Sequence, residues 1–213
     1  MAASPTPVIN SSYCAPHALN IDIVRKVMKV TDGNFVVKDV NGKTIFKVKD
    51  SFFTLHDRRV LLDSAGNTLV TLYKKIRSMH DRWNVFRGTS TEPEDLIFTV
   101  KRSSSIQWSS KLHVFLASNT AKDRCDFMVK DNVIFAGESS TVVAYMQKKD
   151  SVSSFLFGKD TFMLTVHSNI YYAFIVTLIV ILDEISEGDL SKVLGDLTIL
   201  TVNLVTGVPI SIN

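Results

Sequence analysis

The sequence predicts a mainly β domain, a closed antiparallel barrel or a sandwich, built around one apolar segment near its C-terminal side. Three observations carry this expectation. From Asn34 onward, about a dozen short runs of β-branched and aromatic residues are separated by turn signals, the grammar of an all-β domain. Several runs alternate apolar and polar residues, as in Phe46-Lys47-Val48 and Phe98-Thr99-Val100-Lys101, so each has one buried and one wet face. The exception is Ile170–Leu182, thirteen consecutive residues of which only Thr177 is not apolar.

At 213 residues the chain fits one generous domain, or at most two small ones, and can bury a substantial core. A hydrophobic content of 46% with 21% charged residues excludes wholesale disorder. The net charge of +3 permits contact with an anionic surface without demanding it. Two widely separated cysteines, Cys14 and Cys125, have no metal-like spacing and fit a reducing compartment. No basic stretch followed by an apolar one opens the chain, so the expectation is an intracellular protein, cytoplasmic or peripheral to a membrane, and not a secreted one. The Asn10-Ser11-Ser12 sequon then has no use.

Taken in order, residues 1–20 hold Pro5, Pro7 and Pro16 among serines and read as a flexible arm, with Cys14 a weak candidate for acylation. The barrel domain is expected over residues 21–187. Within it, Phe35-Val36-Val37-Lys38 leads through Asp39-Val40-Asn41-Gly42 into Lys43–Val48. Val60-Leu61-Leu62 leads through Asp63-Ser64-Ala65-Gly66 into Thr68–Tyr73. In both, Asp precedes Gly by three positions, which suits a type I turn with a left-handed glycine. A looser copy turns at Asp131-Asn132. Further strands are expected at Trp83–Gly88, Leu96–Val100, Leu112–Leu116, Thr141–Met146 and Phe162–Val166. Residues 188–213 form a tail of open conformation.

A bilayer-crossing helix needs about twenty apolar residues, and the run at Ile170–Leu182 is shorter and closes on Asp183, Glu184 and Glu187 with no basic anchor. A helix apolar on all sides needs burial on all sides, and a barrel lumen provides that. We therefore read residues 170–185 as a central buried helix, started at Ser168 or Asn169. Its β-branched content keeps a buried strand as an alternative, and a membrane segment as another.

The order Asp39-Val40-Asn41-Gly42, Leu62-Asp63-Ser64-Ala65-Gly66, Trp83-Asn84-Val85-Phe86-Arg87-Gly88 and Tyr171–Ile175 through Ile181-Leu182-Asp183-Glu184-Ile185 resembles the plant LURP-one-related family over residues 14–187. The resemblance implies the fold shared with tubby C-terminal domains and phospholipid scramblases, a closed antiparallel barrel of about twelve strands around a central hydrophobic helix. It also implies a link to plant defence, with no assigned molecular activity.

Chemistry-bearing motifs are few. His17, His56, His80, His113 and His167 show no ligand spacing, and neither a nucleophile elbow, a Walker loop nor a dinucleotide fingerprint occurs. The expectation is no enzyme, no cofactor and no metal. The densest basic cluster is Lys74, Lys75 and Arg77, followed by Arg82 and Arg87. It would suit a phosphoinositide headgroup or an anionic membrane surface, each cation contributing about 1 kcal/mol, with Trp83 as an interfacial anchor. A plain solvated rim is the alternative. No nucleic-acid partner is expected, and the chain is expected to be a monomer. The favoured function is a non-enzymatic binding or scaffold domain. A scramblase-like, membrane-anchored lipid transporter and a protein–protein module with an unknown partner in defence signalling or nuclear regulation are the alternatives.

Overall fold

Two turns of identical design organise the first half of the chain. The Asp39 carboxylate accepts from the backbone N–H of Asn41 and of Lys43, and Asp63 accepts likewise from Ala65 and Asn67. In each case the glycine three positions on has positive φ, +80° at Gly42 and +92° at Gly66, and donates its N–H back to the aspartate carbonyl. Asp131 and Asn132 both adopt positive φ, making the tight two-residue hairpin turn whose twist matches its strands.

The computed structural model describes residues 8–26, 35–50, 58–75, 82–103, 111–149 and 159–185. Twelve strands follow in order: β1 (Leu19–Lys26), β2 (Phe35–Lys38), β3 (Thr44–Asp50), β4 (Arg58–Asp63), β5 (Thr68–Lys75), β6 (Arg82–Arg87), β7 (Leu96–Arg102), β8 (Leu112–Leu116), β9 (Phe127–Lys130), β10 (Val133–Ala136), β11 (Val142–Lys149) and β12 (Lys159–Val166). Each pairs antiparallel with its sequence neighbours, and β1 pairs with β12 from Leu19↔Val166 to Lys26↔Lys159, closing the barrel. Closure settles the choice between barrel and sandwich and leaves no unpaired edge among these strands.

Helix α1, residues 172–185, fills the lumen. It begins two residues later than expected. Tyr171 supplies the first accepting carbonyl, to the N–H groups of Phe174 and Ile175, while Asn169 turns the chain with φ of +62°. Every residue from Ala173 to Leu182 is buried, including Thr177, whose hydroxyl donates to the Ala173 carbonyl 2.8 Å away. The strands point Ile21, Val37, Phe46, Leu61, Leu72 and Trp83 at this helix, each at most 1% exposed. Phe174 stacks edge-on against Phe98 at 5.1 Å and lies 4.8 Å from Phe127. Each large apolar side chain buried this way is worth about 1.5–3 kcal/mol. Among the described residues no helix is long and apolar enough to cross a membrane, and the enclosed α1 has no face left for lipid.

The helix enters at what we call the upper mouth and leaves at the lower one. The chain segment expected to be a flexible arm is placed, from Val8 to Ala15, against the upper mouth. Ile9 joins the core, Ser11–Tyr13 form a single 3-10 turn capped by the Asn10 side chain, and Cys14 bridges to Tyr171. Tyr13 packs on Phe46 at 5.1 Å and Tyr172 at 5.6 Å, forming a stopper over the start of the helix. At the lower mouth Arg25 and Arg59 meet Asp183 and Glu184, the acidic last turn of α1.

Candidate functional site: a basic row on the outer barrel face

Strand alternation sorts the expected basic cluster. On β5 the inward positions are Val70, Leu72 and then Lys74, so Lys74 and Lys75 point to opposite faces. Lys74 leans over the Trp83 ring, with Nζ 5.9 Å from its centroid. Trp83 is fully buried inside the barrel, so it is not the surface anchor expected of it. Arg87 ends β6 at the upper mouth, where its guanidinium reaches the Ile9 carbonyl at 3.5 Å, one strand length from Lys75. Arg77 lies outside the described residues.

Two of the five expected residues are brought together. Lys75 is the direct cross-strand partner of Arg82, and Arg82 is in turn the partner of Lys101 on β7. The three stand in one row on the outer face across about 10 Å, the width of three strands. A fourth cation, Lys122, comes from the turn between β8 and β9, where its backbone sits at φ +55° and its N–H donates to Asn119 Oδ1. Lys101 and Lys122 were beyond the reach of a linear scan, because only sheet register places Lys101 beside Arg82, and Lys122 acts on Lys101 from the turn after β8.

These charges act on one another. Burial, and then the positive charges of Arg82 and Lys122, hold the Lys101 ammonium below its usual pKa. Its Nζ lies 4.9 Å from the centroid of the Phe115 ring on β8, which covers the side chain on one side. Among the described residues, Arg82, Lys101 and Lys122 form no ion pair. Converging cations without an acidic partner are a surface complementary to a polyanion. The row continues on β8, where His113 is the cross-strand partner of Lys101.

Other nucleophiles and ligands offer less. Cys125 is buried, and burial with the negative charge of Glu138 pushes its thiol up, away from the reactive thiolate. Among the described residues no three His, Cys, Asp or Glu side chains are grouped as a metal ion would require.

Comparison with known proteins places this barrel in context. The family model for LURP-one-related proteins matches residues 20–183. The chain is 51% identical over 199 residues to Protein LURP-one-related 15 of Arabidopsis thaliana, covering 88% of this chain and 92% of that one. It is 48% identical over 209 residues to Protein LURP1 of the same plant, covering 95% and 98%. A crystal structure of an Arabidopsis thaliana protein superposes with a TM-score of 0.65 at 45% identity, covering 84% of this chain and 98% of that one. With the closed barrel, the threaded helix and these matches in agreement, the chain belongs to the LURP-one-related family.

Proposed function

We propose that this protein is a non-enzymatic domain that docks on anionic phosphate headgroups at a membrane surface, through the outer row of Lys75, Arg82 and Lys101 with Lys122. The observation that carries the reading is that Arg82 and Lys122 both add positive charge at the partly desolvated Lys101 ammonium, while among the described residues Arg82, Lys101 and Lys122 form no ion pair. Membership in the LURP-one-related family supports a part for this docking in plant defence. The enclosure of α1 supports peripheral contact rather than a membrane anchor.

Each cation near an anionic surface contributes about 1 kcal/mol, so removing two should weaken binding by about 2 kcal/mol, roughly thirtyfold. The test is co-sedimentation with phosphatidylcholine vesicles that contain phosphatidylinositol bisphosphate, with a soluble inositol phosphate as competitor to separate membrane-borne from free headgroup. Arg82→Ala/Lys101→Ala should lose binding, whereas Lys74→Ala, facing inward, and Arg87→Ala, at the other mouth, should bind like wild type. A double variant that sediments as well as wild type removes the assignment.

A further inference from the structure

The row of cations ends on a histidine, and its surroundings are unusual. His113 follows Lys101 in direct register, and its Nε2 is buried with no hydrogen-bond partner among the described residues. Among the described residues, charged groups approach it from several neighbouring elements. Lys101 faces it from β7, Lys111 precedes it on its own segment, and Glu138 approaches from the turn between β10 and β11. On β9 its partner is Met128, which carries no charge, and Lys130 lies two residues further along the same strand.

We infer that anion binding on this row is coupled to proton uptake by His113, so that the surface holds an anionic headgroup more tightly in acid than at neutral pH. The inference rests on the reading of the row as a headgroup site. In the free protein a proton on His113 would bring a charge into a covered position beside Lys101, only partly offset by Glu138. Burial, and then Lys111, hold the imidazole below its usual range, with Glu138 opposing them. An anion seated on Lys101 lies about one strand spacing from the ring and reverses that balance, because it supplies the opposite charge that an imidazolium needs. The histidine pKa is then higher in the bound state than in the free state. The added affinity is therefore fully present below the free-state value and is lost as pH rises through the bound-state value. Protonated, His113 extends the row by a further cation exactly where the headgroup is already held by Arg82 and Lys101.

The probe is the full-length protein with phosphatidylcholine vesicles containing phosphatidylglycerol, whose phosphodiester keeps its charge through the range in which histidine titrates. Binding is compared at about pH 7.5 and about pH 5.5, on either side of the ordinary histidine value. Wild type should bind about threefold to tenfold more tightly at the lower pH. His113→Gln and His113→Asn, each confirmed folded by thermal unfolding, should lose most of that gain. Calorimetry on wild type in two buffers of different ionisation enthalpy needs no variant and should show protons taken up on binding near pH 6.5, the ordinary histidine value. Zero proton uptake overturns the inference, as does an undiminished acid gain in His113→Gln. If Arg82→Ala/Lys101→Ala binds these vesicles like wild type, the docking site itself is elsewhere and both readings fall. If that variant loses binding while His113→Gln keeps the full acid gain, only the proton coupling falls.

Discussion

Arg59 Nη2 lies 2.5 Å from Glu184 Oε1, joining the fourth strand to the last turn of the threaded helix. The pair sits at the lower mouth with little solvent access, 9% and 13% of the two side chains. Arg25 repeats the arrangement from β1, its Nε 3.4 Å from Asp183 Oδ1. Both cations also stand at the helix C-terminus, where the macrodipole favours positive charge.

Removing one member of such a covered pair takes an ion-pair partner from the other. Arg59→Met should cost about 3 kcal/mol, read as a lower urea midpoint at unchanged slope. Arg59→Met/Glu184→Leu should recover most of that loss, because both charges of the pair are then removed together.

The helix core separates two kinds of polar change. Ile179 is 3% exposed, and Ile179→Asp should abolish folding, because its charge would have no partner in the lumen. A soluble Ile179→Asp protein with native circular dichroism would contradict the threaded-helix architecture. Thr177→Val should change stability by less than about 1 kcal/mol, since the Thr177 hydroxyl bonds only its own helix at Ala173.

The Asp63 turn should impose a pH dependence. Hydrogen bonds from Asn67, Ala65 and Gly66 hold its carboxyl below the usual carboxylate pKa. The stabilisation it gives is present above the unfolded-state pKa and fades as pH falls through the lower folded-state value. Asp63→Ala should lower the melting temperature at neutral pH. The gap to wild type should close in strong acid, as followed by thermal scans across the acid range.

Thiol labelling should report the two cysteines separately. Cys14 is half-buried, whereas Cys125 is 5% exposed and carries a thiol pushed up by burial. Iodoacetamide followed by peptide mass analysis should modify Cys14 first. Labelling of Cys125 should be at least about tenfold slower and should accelerate in denaturing urea.

Much of this fold was written in local pattern. Asp-x-x-Gly spacing gave both Asx-type turns, and β-branched alternation gave strands from β2 to β12 close to their observed limits. The length of Ile170–Leu182 and its acidic end separated a lumen helix from a membrane span. The first strand, Leu19–Lys26, went unread although Ile21 and Ile23 alternate with Asn20 and Asp22, because Pro16 and the serine-rich start masked its beginning. The site was less legible. A cluster counted along the chain merged Lys74 with Lys75, which the pleat sends to opposite faces, and included Arg87, which the strand carries to the other mouth. Lys101 is a neighbour of Arg82 only through register across β6 and β7, and Lys122 acts on Lys101 from a turn beyond β8, information that no linear window contains. Trp83 misled in the same way: its value as a surface anchor depended on a face that alternation assigns to the interior.

The pairing of Leu19 with Val166 has a consequence for how the protein is made. Its seam joins the first strand to the last, and the segment that fills the lumen is synthesised after both. On the ribosome, β1 must wait for nearly the whole barrel before it finds its permanent neighbour, and every strand before α1 emerges with its apolar side uncovered. Contacts this distant in sequence slow folding and prolong the interval in which such surfaces can associate wrongly. Nascent chains arrested before residue 172 should therefore be protease-sensitive and held by chaperones, and protection should arrive in one step once α1 has cleared the exit tunnel.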